Sequence, residues 1–187
     1  MSPDGRNRSM SKGNRDALLI AAKGGTILVR IGLVIGMIGL GVAMAVSVVD
    51  NSIIAEHVKV QIEPASIGDI TGGVVLSLFL ALISLGLTYD FVTRLAQVID
   101  TVGRGDPFTL ENAARLRRMG WLAIIVQVVS LPLAMLATWL ESNVEKGSFQ
   151  LDSDISLTGI GLAIVLFILA RVFTRGAEMR EELEGTV

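Results

Sequence analysis

Cysteine is absent from this 187-residue chain, and histidine occurs once, at His57. Without a thiol the chain can form neither a disulfide nor a thiolate metal site. Glu56 and Glu63 lie near His57 in the sequence, but the three residues do not make a convincing set for a metal ion or a general base. The sequence GRGDPF lacks the Lys-Ser/Thr ending of a phosphate-binding loop. We therefore expect no enzymatic activity, no cofactor and no metal.

Charged residues are also scarce, at 18% of the chain against about 25% in ordinary soluble domains. The hydrophobic fraction is 51% and the mean hydropathy is +0.63. Apolar runs occupy about residues 31–49, 70–89, 119–140 and 155–173, and each approaches the ~17 to 25 residues that a spanning helix needs. We therefore predict an all-α integral membrane protein with four transmembrane helices, in one membrane domain over residues 26–187.

The basic residues are distributed unevenly between the loops. Fourteen of the 16 Lys and Arg residues lie before the first run, between the second and third, or after the fourth, and only Lys59 and Lys146 lie elsewhere. By the positive-inside rule, both termini, the turn at 91–118 and the tail at 174–187 are predicted to be cytoplasmic. Residues 1–25 are predicted to be a disordered segment with a short surface helix from Arg15 to Lys23.

Two weaker patterns concern the outer loops and the connectivity. Apolar residues alternate in HVKVQIEP and again in GSFQLDSD, which predicts one strand in each outer loop and a small β cap. DITGG and SLTGI open the second and fourth runs. This faint repeat predicts two helical hairpins in tandem.

Small residues recur at helical spacing in the first run, at Gly32, Gly36, Gly39 and Ala43. Steps of three or four place them on one face, where small side chains let membrane helices approach closely. We interpret the face as packing within a compact bundle. The alternative is a contact between copies of the chain in a homo-oligomer.

The sharpest local signals lie in the sequence GDPFTLENAARLRRMGW, at residues 105–121. Gly105 and Pro107 break the preceding helix, and Thr109 suits the N-cap of the next one. Three arginines follow, and the tail carries several glutamates that could pair with them. Exposed ion pairs contribute only ~0 to 1 kcal/mol each, which suits a docking surface better than a structural clamp. Alternatively, the arginines only fix topology and contact anionic lipids.

This turn, together with the terminal RVFTRGAEMREELEGTV, resembles the bacterial membrane family catalogued as domain-of-unknown-function family 2975. The resemblance extends from about residue 30 to residue 187. It implies a four-helix protein of the bacterial inner membrane, commonly encoded beside a small helix-turn-helix DNA-binding protein, and it implies no chemistry. The matching motif residues are Gly105, Pro107, Phe108, Glu111, Asn112, Arg115, Leu116 and Arg118.

Our first hypothesis is a non-enzymatic multi-pass membrane protein that binds or sequesters a cytoplasmic partner, with a helix-turn-helix regulator as the candidate. We expect no direct nucleic-acid binding, because the basic residues do not line one exposed helix. The second hypothesis is a small transporter or channel subunit that acts as an oligomer. The residues predicted to bind the partner are Gly105, Pro107, Phe108, Glu111, Asn112, Arg115, Arg117, Arg118, Glu178, Glu181, Glu182 and Glu184.

Overall fold

A computed structural model describes residues 4–49, 67–143 and 157–184, which form four α-helices. They are α1 (Asp4–Val49), α2 (Ile67–Gly103), α3 (Leu110–Asn143) and α4 (Leu157–Glu184). Each helix contains a segment long and apolar enough to cross a membrane. The predicted all-α membrane fold with four spans is therefore confirmed. The predicted β cap falls on the outer loops, outside the described residues.

The helices are longer than the apolar runs that predicted them. α2 has 37 residues, or about 55 Å at the helical rise, against a hydrocarbon thickness of about 30 Å. Its residues 90–103 continue about 20 Å beyond the apolar run. α1 is helical from Asp4 onward and includes residues 15–23, where the short surface helix was expected; the disorder expected within residues 1–25 stays a prediction. Once a helix exists, adding residues to its end avoids the cost of nucleation, even where those residues are polar.

The four helices pack in the order of the sequence. α1 packs on α2, α2 on α3 and α3 on α4, whereas α1 and α4 make no contact within the described ranges. The predicted hairpins, α1–α2 and α3–α4, are joined through α2 and α3. This open row differs from the compact bundle that we expected. A row is possible because apolar faces gain little by leaving lipid for one another.

The small-residue face of α1 has a divided role. A Cβ atom at Gly36 would lie 3.1 Å from Leu85 Cδ2 of α2, so Gly36 sits in the helix interface. Gly32 and Gly39 have no neighbouring side chain within that reach, and Ala43 is exposed. The half-buried side of α1 instead carries larger residues at alternating steps of four and three, namely Leu33, Met37, Leu40 and Met44. Packing within the chain thus uses Gly36 and this larger-residue stripe.

Candidate docking site at the charged end

Charged side chains from all four helices meet at one end of the row, which we call the charged end. Ion pairs there join α1 to α2, α3 to α2, and α4 to the turn between α2 and α3. They are Lys23–Asp100 at 2.6 Å, Arg118–Asp90 at 3.3 Å and Arg180–Asp106. The apolar core cluster also lies on this side of the row. It is formed by Leu116, Met119, Leu166 and Ala170, with Phe91, Leu95 and Phe173 packed against it.

The turn between α2 and α3 has a defined backbone. Gly105 adopts a φ of 84°, a left-handed conformation in which a side chain would be strained. The Asp106 amide donates to the Thr101 carbonyl over 3.2 Å, which folds the turn back on α2. Thr109 Oγ1 accepts from the Asn112 amide at 3.2 Å, which confirms Thr109 as the N-cap.

Asn112 is the central polar residue of this turn, with 0% of its surface exposed. Its Nδ2 donates to Thr101 Oγ1 at 2.6 Å and to the Pro107 carbonyl at 2.9 Å. Its Oδ1 accepts from Arg115 Nη1 at 2.8 Å. One side chain therefore ties α2, the turn and α3 together. Asn112 was predicted to bind the partner. Because its side chain is fully buried, it holds the turn in place and is not part of the exposed surface.

The three arginines of the motif lie on two different sides of α3. Arg115 contacts Gln97 of α2 at 3.1 Å and Glu111 of its own helix at 3.3 Å. Arg118, one turn later, pairs with Asp90 of α2. Successive helical residues are separated by about 100°, so Arg117 lies on another side, and it lines a cavity against α4. Two of the arginines therefore hold α3 against α2, and Arg117 remains exposed.

Phe108 joins the turn to the tail. Its ring centroid lies 5.2 Å from that of Phe173 in a tilted arrangement. It also covers Gly176, where a Cβ atom would come within 2.8 Å of Phe108 Cδ1. One helical turn beyond Gly176, Arg180 pairs with Asp106. The tail therefore contacts the turn through an aromatic contact and an ion pair.

This ion pair reverses the predicted charges, because an arginine of the tail meets an acid of the turn. The acidic residues of the tail lie elsewhere on α4. Glu178 and Glu181 are exposed and make no ion pair with described residues, and Glu182 is also exposed. α4 ends at Glu184, whose side chain lies outside the described ones.

Large apolar side chains are exposed at the charged end, among charged residues. They are Phe108 in the turn, Leu110 at the start of α3, and Met179 and Leu183 on the tail. We call these four residues, with the Asp106–Arg180 pair, the docking face. Sequence reasoning identified Phe108 but missed Leu110, Met179 and Leu183. The sequence did contain a signal for two of them. Met179 and Leu183 are apolar, are four residues apart and so share one helix face, within a tail that is otherwise rich in acidic residues.

Comparison with known proteins identifies a family. Residues 55–187 match the family model described as "Protein of unknown function (DUF2975)", which includes the turn, the docking face and all of α2, α3 and α4. No curated protein and no solved structure matches the chain. The match begins later than residue 30, where the resemblance was expected to begin, so α1 lies outside it. Because the match covers well over half of the sequence, the chain belongs to the DUF2975 family.

Proposed function

We propose that this multi-pass membrane protein binds a cytoplasmic partner protein through the docking face. The observation that carries the proposal is the exposure of large apolar side chains at the charged end, outside the apolar runs at residues 119–140 and 155–173. Protein interfaces combine such an apolar centre with a charged rim. Here the rim consists of the Asp106–Arg180 pair and the exposed acidic residues Glu111, Glu178 and Glu181.

The architecture of the turn supports this proposal. Asn112 and the Thr109 cap fix the turn before any partner arrives, and a fixed surface loses less conformational entropy on binding. On the tail, Met179 and Leu183 lie one helical turn apart, a spacing that suits an amphipathic helix docking into a groove of its partner. The docking face therefore combines the rigid turn between α2 and α3 with the exposed apolar side of the α4 tail.

The partner class that we favour is a small helix-turn-helix DNA-binding regulator, as the family resemblance implied. Sequestration at the membrane would keep the regulator away from DNA, and its release would allow it to bind DNA again. This mechanism requires the charged end to be cytoplasmic. The distribution of Lys and Arg supports that orientation in the bacterial inner membrane. The protein itself acts as a binding component and carries out no reaction.

The test is co-purification from detergent followed by mass spectrometry of the retained proteins. Leu183→Ser removes an apolar side chain from the docking face. Ile20→Ser makes the same kind of change on α1, which has no contact with α4 among the described residues. The two positions are matched in exposure, at 73% and 72%. We expect the partner to be retained by the wild type and by Ile20→Ser, and lost from Leu183→Ser. Equal retention by both variants would remove the tail from the docking site.

The alternative function is a small transporter or channel subunit that acts as an oligomer. It draws support from α1, whose most apolar stretch contains no fully buried residue and exposes Gly32 and Gly39. An exposed small-residue face is the kind of surface on which membrane helices associate. Oligomerisation through this face is compatible with partner binding at the docking face, because α1 and α4 lie at opposite ends of the row.

A further inference from the structure

A second feature of the charged end is a groove between α3 and α4, on the side of α3 that faces away from α2. It is open to the surroundings and has a volume of about 500 Å³. Arg117 of α3 and Arg171, Arg175 and Glu178 of α4 line its polar part, and Phe167 and Ala170 line its apolar part. We call it the arginine groove. The spacing of these residues along α4, by three or four, places them on one face of the helix.

The charge of the arginine groove is not balanced within the described residues. It contains three guanidinium groups and one carboxylate. None of the four makes an ion pair there, whereas Arg94, Arg115, Arg118 and Arg180 all do. Guanidinium groups bind phosphate oxygens through paired hydrogen bonds, and they are less strongly hydrated than ammonium groups. The groove is therefore complementary to a phosphate-bearing anion.

The position of the groove identifies an amphiphile as the occupant. It extends from Glu178 to Phe167, about 16 Å along α4, and passes from the charged tail into the apolar span. At its apolar end, Phe167 packs edge-on against the exposed Trp121, with centroids 5.7 Å apart. Tryptophan is enriched at the level of lipid headgroups. A headgroup phosphate beside the arginines would leave its acyl chains running along Phe167.

We propose that the arginine groove is a binding site for an anionic phospholipid of the surrounding bilayer. The guanidinium groups of Arg117, Arg171 and Arg175 hold the headgroup phosphate, and Phe167 contacts the first part of an acyl chain. Glu178 at the rim opposes anions and limits their affinity. The site borders the docking face at Glu178 and does not depend on partner binding.

The test measures lipid binding to the purified full chain by native mass spectrometry. The protein is titrated in detergent with phosphatidylglycerol, with zwitterionic phosphatidylcholine, and with phosphatidylglycerol in excess inorganic phosphate. Arg175→Gln removes one charge from the groove, and Arg104→Gln removes one exposed charge from the charged end outside it. One basic residue near a membrane surface contributes about 1 kcal/mol, or roughly fivefold in affinity.

We expect phosphatidylglycerol to bind more tightly than phosphatidylcholine. Arg175→Gln should lower its affinity about fivefold, while Arg104→Gln leaves it within twofold of the wild type. Equal losses in the two variants would show general attraction to the charged end and would overturn the proposal. Displacement of the lipid by inorganic phosphate would identify a soluble anion as the occupant and would overturn it as well.

A third variant makes the test independent of any loss of folding. Glu178→Gln removes the acidic group at the rim, and we expect it to raise the affinity for phosphatidylglycerol by a factor of about two to five. A gain in affinity cannot result from an unfolded protein. The matched control is Glu181→Gln, which removes an exposed acid that does not line the groove. Equal gains, or no gain in either variant, would contradict the site.

Discussion

Phe108 of the turn lies directly over Gly176 of α4, where a Cβ atom would come within 2.8 Å of Phe108 Cδ1. The contact exists in this form because position 176 carries no side chain. It brings Arg180 to Asp106 and holds the tail beside the turn. The docking face therefore depends on one glycine that sequence patterning did not single out.

Gly176→Val should separate the tail from the turn. The added side chain overlaps the Phe108 ring, so the end of α4 must move away from the start of α3. Since the chain has no cysteine, spin labels can be attached to cysteines introduced at Glu111 and Glu181 without background. We expect a longer and broader distance distribution than in the parent chain. Gly161→Val, where a Cβ atom meets nothing within 4 Å, should leave the distribution unchanged.

Asn112→Ala should destabilise the turn. The substitution leaves Arg115 Nη1 and the Pro107 carbonyl without their present partner in a buried setting. Loss of a buried hydrogen-bonded side chain costs about 1 to 3 kcal/mol. We expect a lower thermal midpoint in detergent and faster amide hydrogen exchange over residues 101–109. Glu111→Ala removes a mostly exposed partner of Arg115, and its midpoint should stay close to that of the wild type.

Gly36→Leu should weaken the attachment of α1 to α2. A Cβ atom added there would lie 3.1 Å from Leu85 Cδ2, so the larger leucine side chain must push the helices apart. Overpacking of this kind costs about 1 to 3 kcal/mol. Thermal unfolding in detergent should show the loss for Gly36→Leu and none for Gly39→Leu, which lies on the exposed face.

The same pair of variants tests oligomerisation. If copies associate through the exposed face of α1, Gly39→Leu should lower the oligomer mass measured by light scattering while leaving the unfolding midpoint unchanged. An unchanged mass for Gly39→Leu would contradict assembly through this face. That result would remove the structural support for the transporter or channel alternative.

The orientation of the chain can be tested with single cysteines. Arg104→Cys and Lys146→Cys lie on opposite sides of the membrane in the predicted topology. In intact spheroplasts, a membrane-impermeant maleimide should label the cysteine at position 146 and leave that at position 104 unlabelled until the membrane is broken. The reverse pattern would place the charged end outside the cell and would exclude a cytoplasmic partner there.

The sequence predicted those features that depend on one helix alone. Four apolar runs predicted the four spans, and the Gly105–Thr109 turn followed from local backbone preferences. The burial of Asn112, the outward direction of Arg117 and the aromatic contact at Gly176 could not be predicted in this way. Each depends on which helices are neighbours and how they are rotated. For the same reason, the small-residue face of α1 was only partly a packing face.

Every helix interface described here joins two helices that are adjacent in the sequence. During synthesis the helices enter the bilayer in order, so each interface can form as soon as the later of its two helices has been inserted. Among the described helices, none has to wait for a distant segment before it meets its neighbour, and contacts between segments close in sequence favour rapid assembly. The open row is thus an architecture that the ribosome and the insertion machinery can complete one helix at a time.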